Sequence, residues 1–111
     1  DYDKHYDGYC KFFLYGDTKD KIPDNIKIFN KVGLAYGFVI DNAYIIDITK
    51  GVEFLLTAVI YSNPNQTMND DDYDYEKISI PFLASLGRKI YDLELKRSKK
   101  ALPDFQSFKN F

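Results

Sequence analysis

The sequence contains one cysteine, one histidine and no tryptophan, and these shortages exclude several kinds of site. The single cysteine, Cys10, cannot form a disulfide within the chain. The single histidine, His5, excludes a zinc site with two or more histidines, and its place near the first residue argues against a Ser-His-Asp triad. We expect His5 to be solvent-exposed, Cys10 to be a core residue, and no cofactor or metal to be bound.

A basic excess and a long apolar run are also missing. The formal net charge is −2, whereas a nucleic-acid-binding face usually carries a clear excess of Lys and Arg, so nucleic acid is not an expected partner. The longest apolar runs have the length of a strand, which predicts no membrane span. A chain of 111 residues forms one domain or less. Because it begins with Asp1, we expect residues 1–111 to be a single fragment of a longer protein.

Aromatic residues are abundant, at 17% of the chain, with ten Tyr and nine Phe. Hydrophobic residues make up 45% and charged residues 29%, which is typical of a folded domain. Tyrosines on strands commonly lie half-buried with the hydroxyl in water. The aromatic content alone therefore does not identify a ligand.

Apolar periodicity predicts two helices and three strands. The helices cover Asp3–Tyr15 and Ile78–Lys96, and the strands cover Ile26–Lys31, Phe38–Ile48 and Val52–Tyr61. Gly51 ends a tight turn between the second strand and the third. The expected fold class is α+β: a three-stranded antiparallel meander, with the long C-terminal helix packed on it.

The last strand and the C-terminal tail raise a question of missing partners. Val52–Tyr61 is apolar at nearly every position, which is typical of a central strand covered on both faces, yet it comes last in the meander. We expect an absent strand to pair with it, or the fragment to self-associate through it. Residues 98–111 form a tail in which Phe105, Phe108 and Phe111 either dock on a missing part or stay flexible.

Two motifs are candidates for chemistry. Lys31-Val32-Gly33 lies at the end of a strand, where a glycine can let a ligand approach the backbone; the alternative is a surface lysine before a bend. The acidic run 69–76 invites a calcium site, but it lacks the glycine that an EF-hand loop needs at its sixth position. Acidic residues before a helix are favoured by the helix dipole, and we prefer that explanation.

The order of these pieces resembles the C-terminal part of the class A-like serine β-lactamase and penicillin-binding-protein fold. The matching stretch runs from about Ile26 to Arg97. It begins with Lys31-Val32-Gly33 in place of the family's Lys-Thr/Ser-Gly, continues through AYGFVIDNAYIID and VEFLLTAVIYSN, and ends on KISIPFLASLGRKIYDLELKR. The resemblance implies that the three strands belong to a five-stranded antiparallel sheet, in which a strand from the N-terminal part of the protein pairs with the last one.

The resemblance also implies acyl transfer through a serine ester. The nucleophilic serine, its lysine and a Ser-Asp-Asn loop lie upstream in the family and are absent here. Lys31 would position a substrate carboxylate and aid proton transfer, Gly33 would leave room beside the strand, and the backbone of Ala35 would offer an oxyanion-hole N–H. Val32 and Tyr36 would contact substrate, although Val32 lacks the hydroxyl that the family has at this place.

Two functions follow as alternatives. In the first, the chain is part of a serine hydrolase, is inactive alone, and belongs to a bacterial protein of the periplasm or exterior that takes a small-molecule or peptide substrate. In the second, it is a free-standing α+β module that binds a ligand or a protein without catalysis. The first rests on the resemblance and the second on the tyrosine-rich strands.

Overall fold

The centre of the computed structural model, which describes residues 1–62 and 75–108, is an antiparallel sheet. Its strands are β1 (Ile26–Ala35), β2 (Phe38–Asp47) and β3 (Val52–Tyr61), in the order β1-β2-β3. The expected meander is therefore confirmed, and β1 continues beyond its predicted end. In this sheet β2 is the central strand and β3 is an edge strand. The larger five-stranded sheet, in which an additional strand pairs with β3, stays a prediction.

The C-terminal helix is confirmed as α1 (Ile80–Lys96), which follows a π-helical turn at Tyr75–Ser79. Pro81 lies in its first turn, where the missing N–H costs no intrahelical hydrogen bond. Leu83 and Ala84 are fully buried, whereas Leu93 near the end of the helix is 62% exposed. Among the described residues, no helix is long and apolar enough to cross a membrane.

The sheet has one covered face, here called the core face. It carries the even-numbered side chains of β1 and β3 and the odd-numbered side chains of β2, because paired residues share a face. The buried apolar members of this layer are Ile26, Ile28, Val39, Ala43, Ile45 and Val52, with Leu83 of α1 and Phe12, Phe13 and Leu14 packed above them. Helix α1 and residues 1–25, the N-terminal segment, thus cover the core face together.

The helix predicted at Asp3–Tyr15 is wrong, since this stretch folds as successive turns. Cys10 and Leu14 have φ angles of 58° and 69°, a left-handed conformation that ends a right-handed helix. Apolar residues at this spacing nevertheless pack into the core. Phe13 is completely buried against the sheet, so the periodicity reflects docking rather than helix formation.

Within residues 1–62 and 75–108, the opposite side of the sheet, the outer face, is covered only at one end. Phe105 in the tail is 5% exposed, and the ring of Phe108 lies 5.5 Å from that of Phe29 on β1 and 6.0 Å from that of Tyr44 on β2. The tail therefore docks on the sheet as far as Phe108 instead of extending from it. Residue 111 and most of the acidic run, residues 69–74, lie outside the described residues.

Candidate functional site

The five residues singled out by the sequence lie on β1 and the turn after it. Lys31 is exposed on the outer face opposite Asn42, and its Nζ donates a 2.8 Å hydrogen bond to the carbonyl oxygen of Val32. The Val32 side chain points to the core face, opposite Asp41. Because side chains alternate along a strand, Lys31 and Val32 cannot contact a ligand on the same face.

The hydrogen bonds at the two ends of β2 fix which backbone groups pair inside the sheet. The N–H of Ile48 donates to the carbonyl of Asn25, and the N–H of Ser62 donates to the carbonyl of Gly37. Hydrogen-bonded and non-bonded pairs alternate in an antiparallel ladder. Even-numbered residues of β2 therefore bond to β1, and odd-numbered residues bond to β3.

This alternation determines what the outer edge of β1, the side away from β2, can offer. Ala35 is in a bonded pair with Phe38, so its N–H is directed into the sheet and away from the edge where a substrate could lie. The outward N–H and C=O groups at this end of β1 belong to Val32 and Leu34. An oxyanion donor on this edge would thus be Leu34, which the sequence reasoning missed because the parity follows only from the position of β2.

Gly33 has a packing role on the outer face. It lies opposite Ile40, and a Cβ at Gly33 would lie 2.9 Å from Cγ2 of Ile40. The space beside the glycine is thus filled by a neighbouring side chain. This closeness accounts for a glycine here without any ligand.

The turn after β1 is held by the π-helical turn before α1. Tyr36 and Gly37 have φ angles of 52° and 92°, as in the two-residue type I′ turns that match the twist of paired strands. The N–H of Gly37 donates a 2.9 Å hydrogen bond to the hydroxyl of Tyr75. Tyr36, expected to contact substrate, is half exposed at the tip of the hairpin.

A cleft of about 870 Å³ opens between the N-terminal segment, the end of β1 and the π-helical turn. Its lining mixes aromatic, acidic and basic side chains: Tyr6, Tyr9, Cys10, Phe12, Asp17, Lys19, Leu34, Tyr75, Glu76, Lys77 and Ile80 are among them. Cys10 is exposed here, so its expected place in the core is wrong. His5 is exposed as expected, with its ring edge-on to Tyr9 at 5.5 Å.

One wall of the cleft is attached to the sheet by a buried carboxylate. Oδ2 of Asp41, on the central strand, accepts the N–H of Phe12 at 2.9 Å and that of Phe13 at 3.4 Å. Its Oδ1 accepts Nδ2 of Asn30 at 2.9 Å, and the same Nδ2 lies 2.8 Å from the carbonyl oxygen of Cys10. Asp41 is fully buried, and these donors supply the partners that a buried carboxylate needs.

The same wall is attached to α1 by Arg88. Its Nη1 donates to the carbonyl of Leu14 at 2.6 Å, and the guanidinium binds both carboxylate oxygens of Asp17 at 3.0 and 2.9 Å. The hydrogen bond from Arg88 lowers the pKa of Asp17, and a smaller effect of burial opposes it. Asp17 is therefore ionised at neutral pH and already paired.

These contacts fix one wall of the cleft, which lies beside a strand edge with outward backbone groups. Within residues 1–62 and 75–108, no group of three or more His, Cys, Asp and Glu side chains could hold a metal ion. The chain matches no protein-family model, no curated protein and no solved structure.

Proposed function

We propose that the chain is the C-terminal part of a β-lactamase-like serine hydrolase, which cleaves an amide or ester through an acyl-serine intermediate and acts in the bacterial periplasm or outside the cell. The observation that carries the proposal is the position of Lys31-Val32-Gly33. It lies on an edge strand whose outward backbone groups include those of Val32 and Leu34, and Leu34 lines the cleft. The chain supplies no nucleophile for this site and is inactive alone.

The outer face supports the idea that a further layer is missing. Four large apolar side chains on it are exposed: Phe38 by 48%, Leu55 by 80%, Val59 by 58% and Tyr61 by 49%. Phe38 and Tyr61 are a cross-strand pair whose rings lie 4.6 Å apart. Val59, the preceding residue of β3 on this face, extends the patch that they form. Contiguous apolar patches usually mark a contact surface. In the proposed enzyme, this layer would come from the part that carries the serine.

In the proposed reaction the upstream serine oxygen bonds to the substrate carbonyl carbon while the serine proton passes to the upstream lysine of the Ser-x-x-Lys sequence. The π electron pair of the carbonyl moves onto the carbonyl oxygen. That oxygen could accept the outward N–H of Leu34. The tetrahedral intermediate collapses, the leaving group departs with a proton, and water later hydrolyses the ester. Lys31 contributes a positive charge for a substrate carboxylate after its Nζ leaves the Val32 carbonyl. Val32 contributes no hydroxyl.

The proposal is tested on the protein encoded with the sequence upstream of Asp1. The full-length protein is incubated with a fluorescent penicillin and, separately, with a serine-reactive fluorophosphonate, and adducts are located by intact and peptide mass. We expect an adduct on an upstream serine in a Ser-x-x-Lys sequence. Lys31→Ala should slow acylation, whereas Lys50→Ala, on the exposed turn after β2, should not. A folded protein that reacts with neither reagent would contradict the proposal.

A second candidate function, a binding module without catalysis, is favoured by the tyrosines that line the cleft. Tyr6 and Tyr9 can stack on sugar rings or on apolar peptide side chains while their hydroxyls stay hydrated, and Tyr75 adds a third ring whose hydroxyl accepts the N–H of Gly37. This function predicts that the chain of 111 residues binds such a ligand by itself. Titration of the chain with oligosaccharides and peptides, followed by NMR shifts, tests it. Tyr9→Ala should abolish binding, and Tyr44→Ala, remote from the cleft lining, should not.

A further inference from the structure

The outer edge of β3, the side away from β2, carries a row of backbone groups that no described strand pairs. The alternation along β2 assigns these outward N–H and C=O groups to the odd-numbered residues of β3, which are Glu53, Leu55, Thr57, Val59 and Tyr61. All five are exposed. An unpaired edge of this length and apolarity readily accepts another strand.

We propose that two copies of the chain pair edge to edge through β3, antiparallel, with Thr57 on the two-fold axis. Leu55 then lies opposite Val59 of the second copy, and Glu53 lies opposite its Tyr61. In each of these pairs, the N–H of one residue donates a hydrogen bond to the C=O of the residue opposite it, and its C=O accepts one in return. The two sheets merge into one, in which both β1 strands stay at the far edges with their clefts.

The sequence of β3 fits this register in particular. The residues whose backbone N–H and C=O groups point away from β2 must pair with one another. A two-fold axis at Thr57 is the position that pairs all five of them. A centre at Leu56 would place Tyr61 opposite Gly51, which lies in the turn before β3. Aliphatic pairs are favourable across antiparallel strands, and the Glu53 carboxylate, which already accepts the Tyr44 hydroxyl, keeps lone pairs for a Tyr61 hydroxyl of the second copy.

The core face is also complementary across the axis. The same register places Phe54 opposite Ile60 and Leu56 opposite Ala58, so the central pairs on this face of the interface are apolar. These four side chains already pack against the edge of the core cluster and are half-buried in a single copy. Pairing extends that cluster from one copy into the other, and no like charges meet.

This inference concerns the chain of 111 residues and does not rest on its being part of a hydrolase. A strand from elsewhere in a longer protein would compete with the second copy for the same edge. The interface is therefore measured on the chain itself, whereas acylation is measured on the longer protein. Either result can fail without the other.

The test is sedimentation velocity and native mass spectrometry of the chain over a wide concentration range. We expect a dimer. Thr57→Lys and Thr57→Glu should each be monomeric, because like charges then face each other on the axis, and a mixture of the two should form a one-to-one heterodimer. Thr49→Lys and Thr49→Glu, on the exposed turn before β3, are the matched controls and should stay dimeric. Far-UV circular dichroism checks that each variant is folded.

A strictly monomeric chain would overturn the inference, as would Thr57 variants that remain homodimers or fail to pair when mixed. If these variants unfold, Leu55→Pro replaces them. The N–H of Leu55 faces outward, so proline there removes no bond to β2 but removes a donor from the outer edge. A folded Leu55→Pro chain should be monomeric, and a dimeric one would exclude this edge.

Discussion

The hydroxyl of Tyr91 on α1 donates a 2.5 Å hydrogen bond to Oδ2 of Asp47 at the end of β2. The other oxygen of this fully buried carboxylate accepts Nδ2 of Asn25 and the N–H groups of Thr49 and Lys50, each at 3.0 Å. One carboxylate therefore joins the helix, the turn after β2 and the segment before β1. It sets where α1 crosses the sheet and so helps to place the π-helical turn at the cleft.

Removing the Tyr91 hydroxyl should destabilise the fold. Tyr91→Phe leaves the ring in place but deletes a hydrogen bond to a charged, buried acceptor, which is worth about 1.5–3 kcal/mol. Urea unfolding followed by circular dichroism gives the loss in free energy of unfolding. Tyr44→Phe is the control: its hydroxyl donates to Glu53 at an exposed site and should cost less than about 1 kcal/mol. Equal losses in the two variants would contradict the role of Asp47.

Asp47 should also make stability depend on pH. Burial acts to raise the pKa of Asp47, but hydrogen bonds from Asn25, Tyr91, Lys50 and Thr49 outweigh it and hold the pKa below its ordinary value. The stabilising contribution is therefore complete above the ordinary carboxyl pKa, about 3.9, and is lost as the pH falls through the lowered pKa.

Thermal unfolding between pH 7 and pH 2 measures this contribution. Asp17 and Glu94 also have lowered pKa values, so the wild-type chain should lose stability on acidification for several reasons. Asp47→Asn should be less stable than wild type at pH 7, and the difference should shrink at the acid end. A constant difference across the range would show that protonation of Asp47 is not linked to folding.

Asp41 should govern whether the N-terminal segment stays on the sheet. Asp41→Ala leaves the N–H groups of Phe12 and Phe13 and the amide of Asn30 without their buried acceptor, at a cost of about 1–3 kcal/mol for each group left unsatisfied. Amide hydrogen exchange should accelerate most in residues 8–16. Asn42→Ala, the exposed neighbour, should leave that segment protected. Uniform acceleration over the whole chain would instead indicate global destabilisation.

The sequence predicted the elements whose apolar pattern is least ambiguous. β3 and α1 were found because an unbroken apolar run and a three-to-four residue stripe each permit few alternatives. The N-terminal helix failed because docked turns can repeat apolar residues at the same spacing, and nothing local announces the left-handed Cys10 and Leu14. Asp41 on β2 carries no sign of its role in the sequence. A lone polar residue in a strand does not reveal that a distant segment will supply its donors.

The candidate site shows the same limit. Lys31, predicted at the end of a strand, lies within β1, which continues to Ala35. The choice of Ala35 as backbone donor depended on knowing which neighbour each residue bonds to. Whether the odd-numbered or the even-numbered residues of β1 direct their N–H groups toward β2 depends on the pairing of the strands. A single sequence does not reveal that pairing. The exposed outer face is likewise a property of the assembled sheet: Phe38 and Tyr61 are distant in sequence and become one patch only through the register.

Gly33 offers a way to separate packing from ligand access. Gly33→Ala should destabilise the chain by about 1–3 kcal/mol, because the new methyl meets the branched, stiff side chain of Ile40. In a chain that already carries Ile40→Ala, Gly33→Ala should cost less stability than it does in the wild-type chain. A double-mutant cycle in urea measures this difference. No coupling between the two positions would remove the packing explanation and favour a glycine kept for a ligand.

Gly87 on α1 should be the least replaceable residue of the helix. Alanine is preferred to glycine in a helix interior by about 1 kcal/mol, so propensity alone predicts that Gly87→Ala stabilises the chain. The structure predicts the opposite, because a Cβ there would lie 2.8 Å from the backbone nitrogen of Leu14 and from Cβ of Phe13. Either α1 or the N-terminal segment must move, and we expect a net loss of about 1–3 kcal/mol with faster hydrogen exchange around Phe13. Lys89→Ala, at an exposed position of the same helix, should change stability by less than about 0.5 kcal/mol. A stabilised Gly87→Ala chain would mean that α1 and the N-terminal segment are not in close contact, and the cleft between that segment and the π-helical turn would then have a different shape.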